Sequence, residues 1–322
     1  MSSANNNGLL VVGSVAYDSV KTPEGSRQDA LGGSAMYFSL SSSYFSPVSV
    51  VAVVGEDFRD RDINIFKAHN VDVSGLVKAS GKTFRWSGVY STEDVNQRET
   101  LDTQLNVFAD FSPTLTEQQR KSPYVFLANI DPGLQLDVLE QMAARPKLVA
   151  LDTMNFWIEG RRDALTKIVS KVDVLFMDEG EVRQFADEPN LVSAARKIIG
   201  IGPKVVVAKR GEHGVMVVQN GSLFVLPAFP LDRVVDPTGA GDTFAGGFMG
   251  YLASSGDLSP DGFRRAAMLG SVMGSFTVEA FSMERLHELK QADIESRFRN
   301  LSEICRASPL GKGESLPWRN GN

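Results

Sequence analysis

Short apolar runs rich in β-branched residues alternate with longer segments of helical character over most of the chain. The runs Leu9–Val12 and Val48–Val54 are each followed by a glycine, as expected of buried strands that lead into turns. The segment Ser34–Phe45 is rich in small residues, and Asp57–His69 spaces its apolar residues as one face of a helix. This alternation predicts a parallel sheet whose strands are connected by crossover helices.

After Pro123 the same alternation continues, with one strand hairpin inserted. The pattern predicts strands at Tyr124–Ala128, Leu148–Leu151, Val174–Met177 and Lys204–Ala208. It predicts helices at Leu134–Ala144, Arg161–Lys171, Leu191–Ile199, Gly241–Ser254, Asp261–Glu279 and Glu284–Ser302. Asn220-Gly221 separates the β-rich runs Val215–Val218 and Leu223–Leu226, which predicts a hairpin closed by a type I′ turn.

Residues 77–107 interrupt this alternation. Thr83–Ser91 alternates in polarity, and a further strand is predicted near Gln104–Phe108. The aromatic residues of the first stretch are Phe84, Trp86 and Tyr90. We interpret the segment as β-structure set apart from the main sheet, which can act as a lid. Its aromatic rings can pack against the main domain or a second subunit, or stack on a flat ligand.

Composition indicates a folded globular chain and excludes several classes. Of the 322 residues, 43% are hydrophobic and 22% are charged, which is enough to bury a sizeable core. The net charge of −6 and the lack of basic runs argue against nucleic acid or an anionic membrane as a partner. The one cysteine, Cys305, excludes an intramolecular disulfide and argues against a cysteine-based zinc site. The polar start, MSSANNNG, does not resemble a signal peptide, and no apolar run is as long as a transmembrane helix, so we predict a cytoplasmic protein.

The most informative segment is DPTGAGDTF, residues 236–244. Glycine-rich backbone that leads into a helix presents unpaired N–H groups at one point, and the helix dipole adds partial positive charge there. Such a point can bind an anion such as a phosphate. Asp242, in the first helical turn, can take a proton from an attacking hydroxyl. The alternative is structural, because an aspartate in a first turn also complements the helix dipole.

DPTGAGDTFAGGF resembles the C-terminal signature of the ribokinase-like (pfkB) carbohydrate kinases. Gly32-Gly33, which follows the first strand and Asp18, resembles the N-terminal signature of the same family. The resemblance extends from about residue 9 to residue 300. The asparagine that is usual a few residues after the glycine pair is missing, since Met36-Tyr37-Phe38 occupies that stretch.

This resemblance implies an α/β ribokinase-like fold, in which a central, mostly parallel sheet is sandwiched by helices and carries a small β-lid. Residues 1–322 then form a single kinase domain, with the lid formed by insertions around 14–31 and 77–107. The tail 308–322 is rich in glycine, proline and charge, and we predict that it is mobile. A lid sheet can pair with a partner's lid, which makes a homodimer through the lid a candidate assembly.

The resemblance also implies roles for individual residues. Asp242 resembles the general base of the family. The residues that match the anion hole are Gly239, Ala240 and Gly241. Asp18 resembles the carboxylate that binds substrate hydroxyls, with Gly32 and Gly33 lining the same pocket. The alternative for Asp18 is a turn aspartate after the first strand.

Two acidic positions resemble the family's metal sites. Asp178-x-x-Glu181 stands where the family has Asn-x-x-Glu, which organises Mg²⁺ and phosphate largely through water. Carboxylates suit Mg²⁺ as a hard cation, although an acidic helix start on a solvated face is the alternative. Asp236 and a later loop, 275–282, match the elements that bind a monovalent cation such as K⁺ in the family.

The turn after the predicted strand 204–208 resembles the nucleotide side of the family's site. The residues assigned to ATP binding are Lys209, Gly211, Gly214 and Thr238. A tight turn into a hairpin explains the glycines equally well. Asp152 and Asn155 follow another strand end, where ligands gather in open α/β sheets, and we assign both to the substrate pocket. Both residue types are also common in turns for local reasons.

The sequence therefore predicts an ATP- and Mg²⁺-dependent kinase that transfers the γ-phosphoryl group to a hydroxyl of a sugar or sugar derivative. A nucleoside is the alternative acceptor, because the signature asparagine is missing and the lid carries aromatic residues. A non-catalytic ligand-binding regulatory protein is a third interpretation. It ranks below the enzyme because Asp242 and the glycine turn are both present.

Overall fold

The computed structural model describes residues 8–93, 97–308, 310, 312 and 314–316. Within this part of the chain, the strands form a nine-stranded sheet and a four-stranded sheet. In chain order the strands are β1 (Leu9–Val12), β2 (Ala16–Thr22), β3 (Gly25–Gly32), β4 (Val48–Gly55), β5 (Asp72–Ala79), β6 (Phe84–Tyr90), β7 (Arg98–Gln104), β8 (Tyr124–Leu127), β9 (Leu148–Asp152), β10 (Val174–Asp178), β11 (Val205–Lys209), β12 (Val215–Gln219) and β13 (Ser222–Leu226). The helices are α1 (Ser34–Ser43), α2 (Asp60–Ala68), α3 (Pro132–Gln141), α4 (Asn155–Gly160), α5 (Arg162–Val169), α6 (Glu179–Ala186), α7 (Leu191–Ile199), α8 (Ala240–Ser255), α9 (Pro260–Thr277), α10 (Glu284–His287) and α11 (Gln291–Ile304).

The large sheet has the strand order β13-β12-β11-β10-β9-β8-β1-β4-β5. In this order, the seven strands from β11 to β5 pair in parallel. Only the pairs β11–β12 and β12–β13 are antiparallel. The predicted α/β class with a mostly parallel sheet is therefore confirmed. Because parallel strands end at the same edge, the residues that follow β1, β9, β10 and β11 meet at one edge, where ligands bind in such sheets.

Successive residues of the central strands face opposite layers of helices. Leu9 and Val11 belong to the apolar cluster on the side of α1, α8 and α9, while Leu10 and Val12 belong to the cluster on the side of α3, α5, α6 and α7. Buried strands with both faces covered are expected to be continuously apolar, as these are. The sandwich of helices that was predicted for the sheet is thus confirmed.

Glycines allow α8 to pack closely against its neighbours. A Cβ added at Gly246 would lie 2.6 Å from the carbonyl oxygen of Phe38 in α1, and one at Gly247 would lie 2.9 Å from Cγ of Met273 in α9. Larger residues would push α8 outward. The two glycines therefore determine where the amino end of α8 lies relative to the sheet edge.

The four-stranded sheet has the order β3-β2-β6-β7. The strands β2 and β6 pair in parallel, and the two outer strands pair antiparallel. The segments 14–31 and 77–107, which were predicted to form the lid, supply these strands. Residues 77–79, however, end β5 and belong to the large sheet, because β5 continues the parallel register of β4.

The strand predicted at Gln104–Phe108 is wrong. The strand of this region is β7, and Asn106–Asp110 forms a 3₁₀ helix instead. Two ring contacts account for this turn, since Phe108 stacks on Phe84 with centroids 5.3 Å apart and on Phe111 at 5.4 Å. These ring contacts thus outweigh the local strand pattern.

Two further predictions about local structure need correction. The single helix predicted at Glu284–Ser302 is two helices, because Lys290 is extended and its N–H donates to Asp293, which caps the start of α11. The hairpin β12–β13 is confirmed, but its predicted type I′ turn is wrong. Gly221 has φ +76°, whereas Asn220 is not among the described non-glycine residues with positive φ.

The structure describes only part of the tail that was predicted to be mobile. Within the tail, residues 309, 311, 313 and 317–322 lie outside the described residues. No helix in the described ranges has the length and apolar character needed to cross a membrane. The cytoplasmic location stays a prediction.

Candidate active site

The turn before α8 presents backbone amides at the edge of the large sheet. Asp236 Oδ1 accepts a hydrogen bond from the N–H of Thr238 at 2.9 Å, and Gly239 has φ +75°. The N–H of Ala240 donates within the turn at 3.2 Å, whereas no backbone bond within the described residues uses the N–H of Gly241. An amide at a helix start that has no partner can hold an anion.

Asp242 lies in the first turn of α8 and is partly exposed. Burial raises the pKa of its carboxyl to about 7, and the negative charge of Asp152 adds to this shift. The cations Lys209 and Arg98 oppose it. A carboxylate whose pKa lies near neutral pH is suited to accept a proton from a hydroxyl.

Lys209 joins the ends of two strands of the large sheet. Its Nζ donates to both carboxylate oxygens of Asp152, at 3.0 and 2.9 Å, and Asp152 is buried. A Cβ added at Gly241 would lie 3.2 Å from the same Nζ. The lysine assigned to ATP binding thus contacts a residue assigned to the substrate pocket and lies against the predicted anion hole.

Asp18, Gly32 and Gly33 lie together, as the resemblance implied. Asp18 is buried, and it accepts a hydrogen bond from the N–H of Gly33. Any side chain at Gly32 would overlap the Asp18 carboxylate, and Gly33 has φ +94°, so both positions need glycine. Burial raises the pKa of Asp18 to about 7, and the negative charges of Asp236 and Asp242 add to the shift.

Asp178 and Glu181 bind each other's backbone at the start of α6. Asp178 accepts from the N–H of Glu181 at 2.7 Å, and Glu181 accepts from the N–H of Asp178 at 2.8 Å. Burial raises the pKa of Glu181 to about 7, with Asp178 adding and Lys209 opposing. Each carboxylate keeps lone pairs for water molecules around a cation. Carboxylate oxygens suit Mg²⁺, and among the described residues no group of three or more His, Cys, Asp or Glu could hold a metal ion.

Asp236 lies beside the loop that was named with it for a monovalent cation. Its carboxyl is buried and accepts from the N–H of Ser282, and Val235 donates to the carbonyl of Val278 at 2.7 Å. Burial raises the pKa of Asp236. In the part of the chain that the structure describes, Asp236 forms no ion pair.

Three predicted residues form no hydrogen bond with the carboxylates of this site among the described residues. Gly211 and Gly214 have φ +54° and +86°, and a side chain at Gly214 would overlap the carbonyl oxygen of Leu226, so the hairpin turn itself requires both glycines. Asn155 is exposed at the start of α4, where it accepts from the N–H of Phe156 at 3.0 Å. Within the described residues, no hydrogen bond joins these three to Asp18, Asp152 or Asp242.

Sequence reasoning missed three residues of the site. Thr238 Oγ1 donates to the hydroxyl of Tyr90 at 3.1 Å, so β6 of the small sheet contacts the turn before α8. Arg98, which pairs with Tyr90 across the strands, hydrogen-bonds to that tyrosine. The ring of Tyr37 lies on Gly239, where any side chain would overlap it.

The sequence contained a weak indication for each of these residues. Tyr90 and Arg98 lie in a segment predicted as a lid, and Tyr37 occupies the stretch of the missing asparagine. Which of them reaches the site depends on strand register and helix packing, which no local pattern contains.

The arrangement suits transfer of an anionic group to a hydroxyl. A carboxylate near its pKa can take the proton, while backbone amides and a lysine stabilise negative charge beside it. The fold and the site together define a phosphotransferase that acts on an alcohol group. The sequence matches the pfkB family of carbohydrate kinases over residues 7–285, and the chain belongs to this family.

Named relatives include kinases of several small molecules. The chain is 32% identical to the cytidine kinase of Thermococcus kodakarensis over 250 residues, which cover 76% of this chain and 88% of the relative. It is 25% identical to the inositol 3-kinase of Arabidopsis thaliana, over 94% of this chain and 83% of the relative. The fold resembles that of a putative ribokinase II from E. coli in complex with ATP and Mg²⁺, with a TM-score of 0.75 and 19% identity over 91% of this chain and 99% of that one. The predicted family and enzyme class are confirmed, and kinases of this family use ATP with Mg²⁺.

Proposed function

We propose that this chain is an ATP-dependent nucleoside kinase that phosphorylates a hydroxymethyl group of its acceptor. The observation that carries this proposal is the position of Trp86. Trp86 is the register partner of Asp18 between the parallel strands β2 and β6. Neighbouring side chains in register project from the same face of a sheet. The indole therefore lies beside the carboxylate proposed to bind the acceptor's hydroxyls.

The indole is held in place and is partly exposed, with the Arg98 guanidinium over its ring at 6.0 Å from the centroid. Its Nε1 donates to Thr100 Oγ1 at 3.3 Å, and a side chain at Gly88 would overlap the ring. Trp86 is only partly buried, whereas Phe84 stacks on Phe108 and serves packing. A partly exposed aromatic face next to a hydroxyl-binding carboxylate suits an acceptor that combines a base with a sugar. The cytidine kinase relative is consistent with such an acceptor.

In the proposed mechanism, Asp242 accepts the proton of the acceptor hydroxyl. The hydroxyl oxygen bonds to the γ-phosphorus of ATP as the bond between that phosphorus and the ADP oxygen breaks. The amides at Gly239 to Gly241 and the Lys209 ammonium stabilise the charge on the transferred group. Asp18 holds the acceptor's other hydroxyls, and Asp152 orients Lys209. Gly211, Gly214 and Thr238 line the nucleotide side.

Asp178 and Glu181 are the residues that would hold Mg²⁺, through water. The ion supplies positive charge that neutralises the phosphates when it is bound. Asp236 and residues 275–282, which are the last turn of α9 and the loop after it, would hold a monovalent cation such as K⁺. A buried carboxylate without an ion pair among the described residues supports this assignment, because such a charge needs compensation.

The small sheet supports a homodimer. Its edge strand β7 is exposed along its whole length, and Leu101 is 61% exposed. Unpaired strand edges readily pair with another chain. We expect light scattering to give a dimer that Leu101→Lys converts to monomer. A monomeric wild type at every concentration would contradict the dimer.

An acceptor panel tests the proposed function. The purified protein receives ATP, Mg²⁺ and one of cytidine, adenosine, inosine, ribose or myo-inositol, and the product is identified by mass spectrometry. We expect the highest kcat/KM with a nucleoside. Trp86→Ala should raise the KM of that nucleoside about 5- to 150-fold, since stacking on a base is worth about 1–3 kcal/mol. Trp86→Phe should restore the KM, and the low activity on ribose serves as the control. A preference for ribose or myo-inositol, or an unchanged nucleoside KM in Trp86→Ala, would contradict the proposal.

A sugar or cyclitol kinase is the second candidate. One observation favours it, because the inositol 3-kinase relative extends over 94% of this chain. In that case Trp86 packs the small sheet and does not touch the acceptor. The same panel separates the two candidates.

A further inference from the structure

Tyr37 differs from the other aromatic residues of α1 in what it contacts. Phe38 stacks on Phe126 of the core, with centroids 4.0 Å apart. The ring of Tyr37 lies on Gly239, where a Cβ would overlap it, so it covers the first residue of the proposed anion hole. Tyr37 is only 2% exposed although it lies at a site where small molecules must enter.

The hydroxyl of Tyr37 has no partner in the described part of the chain. The charges that act on it belong to Asp18, Asp236, Tyr90 and Asp242, and burial is the main cause of a pKa raised well above 10. The phenol is therefore protonated at neutral pH and keeps an unused O–H donor. An O–H donor without a protein partner can donate a hydrogen bond to a bound ligand. The hydroxyl lies close enough to Asp18 and Asp242 for both charges to act on it, and the ring lies on Gly239, so the donor faces the region where an acceptor with several oxygens would lie.

We propose that Tyr37 is an acceptor-binding residue that determines specificity, its hydroxyl donating a hydrogen bond to an oxygen of the acceptor while its ring shields Gly239 from water. The inference rests on the proposed function, in that an acceptor occupies the space between Asp18 and Asp242. It assigns the stretch of the missing signature asparagine a direct role. Ring and hydroxyl act separately, so two substitutions can test them separately.

Tyr37→Phe removes the hydroxyl and keeps the ring. We expect the KM of the best acceptor of the panel to rise roughly tenfold, the size of one hydrogen bond, while kcat and the KM of ATP are unchanged. The melting temperature should not fall, because the substitution removes no hydrogen bond among the described residues. Tyr124→Phe is the matched control, since Tyr124 is also 2% exposed but begins β8 at the opposite, amino end of the sheet.

Tyr37→Leu removes the ring. We expect ATP hydrolysis without acceptor to rise relative to phosphoryl transfer, because water then reaches the γ-phosphoryl group. Tyr37→Phe should keep hydrolysis at the wild-type level. A purely structural tyrosine would change the melting temperature and leave both the acceptor KM and this ratio unchanged.

The outcomes distinguish this inference from the proposed function. If ribose is the best acceptor, the nucleoside assignment fails, and Tyr37 is then measured with ribose in the same way. If the wild type phosphorylates its acceptor and Tyr37→Phe does so with an unchanged KM, the inference about the hydroxyl fails. An unchanged hydrolysis ratio in Tyr37→Leu overturns the inference about the ring.

Discussion

On the proposed acceptor side of the site, Asp18, Tyr37 and Asp152 are buried, whereas on the proposed nucleotide side Asp178 and Gly211 are exposed. The proposed acceptor side gathers side chains from β2, α1 and β9. The nucleotide side consists of turns that follow single strands. The glycines of the nucleotide side have structural explanations. On the acceptor side, burial raises the pKa values of Asp18 and Asp152 above their ordinary values.

This difference indicates which part of a functional site can be recognised from the structure. A charge removed from water is costly unless a partner or a ligand compensates it, so buried carboxylates near an open edge point to chemistry. An exposed turn buries no charge, so it can bind a ligand without containing a buried carboxylate. The acceptor side should therefore respond strongly to substitution.

Asp242→Asn should have the largest effect. Asparagine keeps the shape but cannot take up the proton, so we expect kcat to fall about 10²- to 10⁴-fold, the usual contribution of a general base. ATP and acceptor should bind almost normally. Steady-state kinetics with the best acceptor give this value.

Asp261→Asn is the matched control, since Asp261 lies in the first turn of α9 and is exposed. It should lose the helix-dipole contribution, about 0.3–1 kcal/mol of stability, and its exposed ion pair with Arg264, and it should keep kcat. If Asp242→Asn behaves like this control, Asp242 is not the base.

Lys209→Met should be the most destabilising of the substitutions. It leaves the buried Asp152 without its cation, which typically costs about 3–5 kcal/mol of the free energy of unfolding. The double substitution Lys209→Met with Asp152→Leu should recover part of the loss. Urea denaturation measures both.

Lys204→Met provides a control on the same sheet. Lys204 pairs with the buried Asp173, but Arg145 pairs with that aspartate as well, at 2.8 Å. We expect a loss below about 1 kcal/mol, as for an exposed ion pair. Equal losses in the two variants would mean that Asp152 does not depend on Lys209.

Asp18→Asn should change both acceptor binding and the pH dependence of stability, and the two effects can be measured separately. We expect the acceptor KM to rise about 10- to 150-fold, because hydrogen bonds to a charged group are worth about 1.5–3 kcal/mol. The pKa of Asp18 is raised to about 7, so its protonated form favours the folded state. That stability is complete below the ordinary pKa of 3.8 and is lost as the pH rises through about 7.

The melting temperature of the wild type should therefore fall between pH 5 and pH 8 by more than that of Asp18→Asn. Asp102→Asn, on the exposed strand β7, should change neither the KM nor this difference. An unchanged acceptor KM in Asp18→Asn would remove its role in acceptor binding.

Arg98→Gln should have the smallest effect. Arg98 lowers the pKa of Asp242, so its loss should raise that pKa and move the acid limb of kcat/KM to higher pH by less than about one unit. Lys21→Gln, an exposed cation of the same small sheet, should leave the profile unchanged. A profile that does not move, or that moves to lower pH, would show that Arg98 does not act on Asp242.

Most elements of the large sheet were predictable, because each strand between helices carries its own apolar run. The helix Leu191–Ile199 agrees residue for residue, and β1 does so as well. The strand predicted at Gln104–Phe108 failed because stacking of Phe108 on Phe84 is a contact between distant residues. The break between α10 and α11 was missed because both helices are amphipathic and the extended Lys290 carries no proline or glycine signal.

The sequence alone determined the family and the fold class. It also predicted the central chemistry, because the glycine turn and Asp242 are adjacent in the chain and lie at a helix start that local residues form. Only the tertiary structure decided that Lys209 lies between Asp152 and Gly241, that Trp86 is the register partner of Asp18, and that Tyr37 covers Gly239. These contacts join residues from separate elements. Strand register and the close approach of α8 to its neighbours position them, and both depend on packing throughout the core.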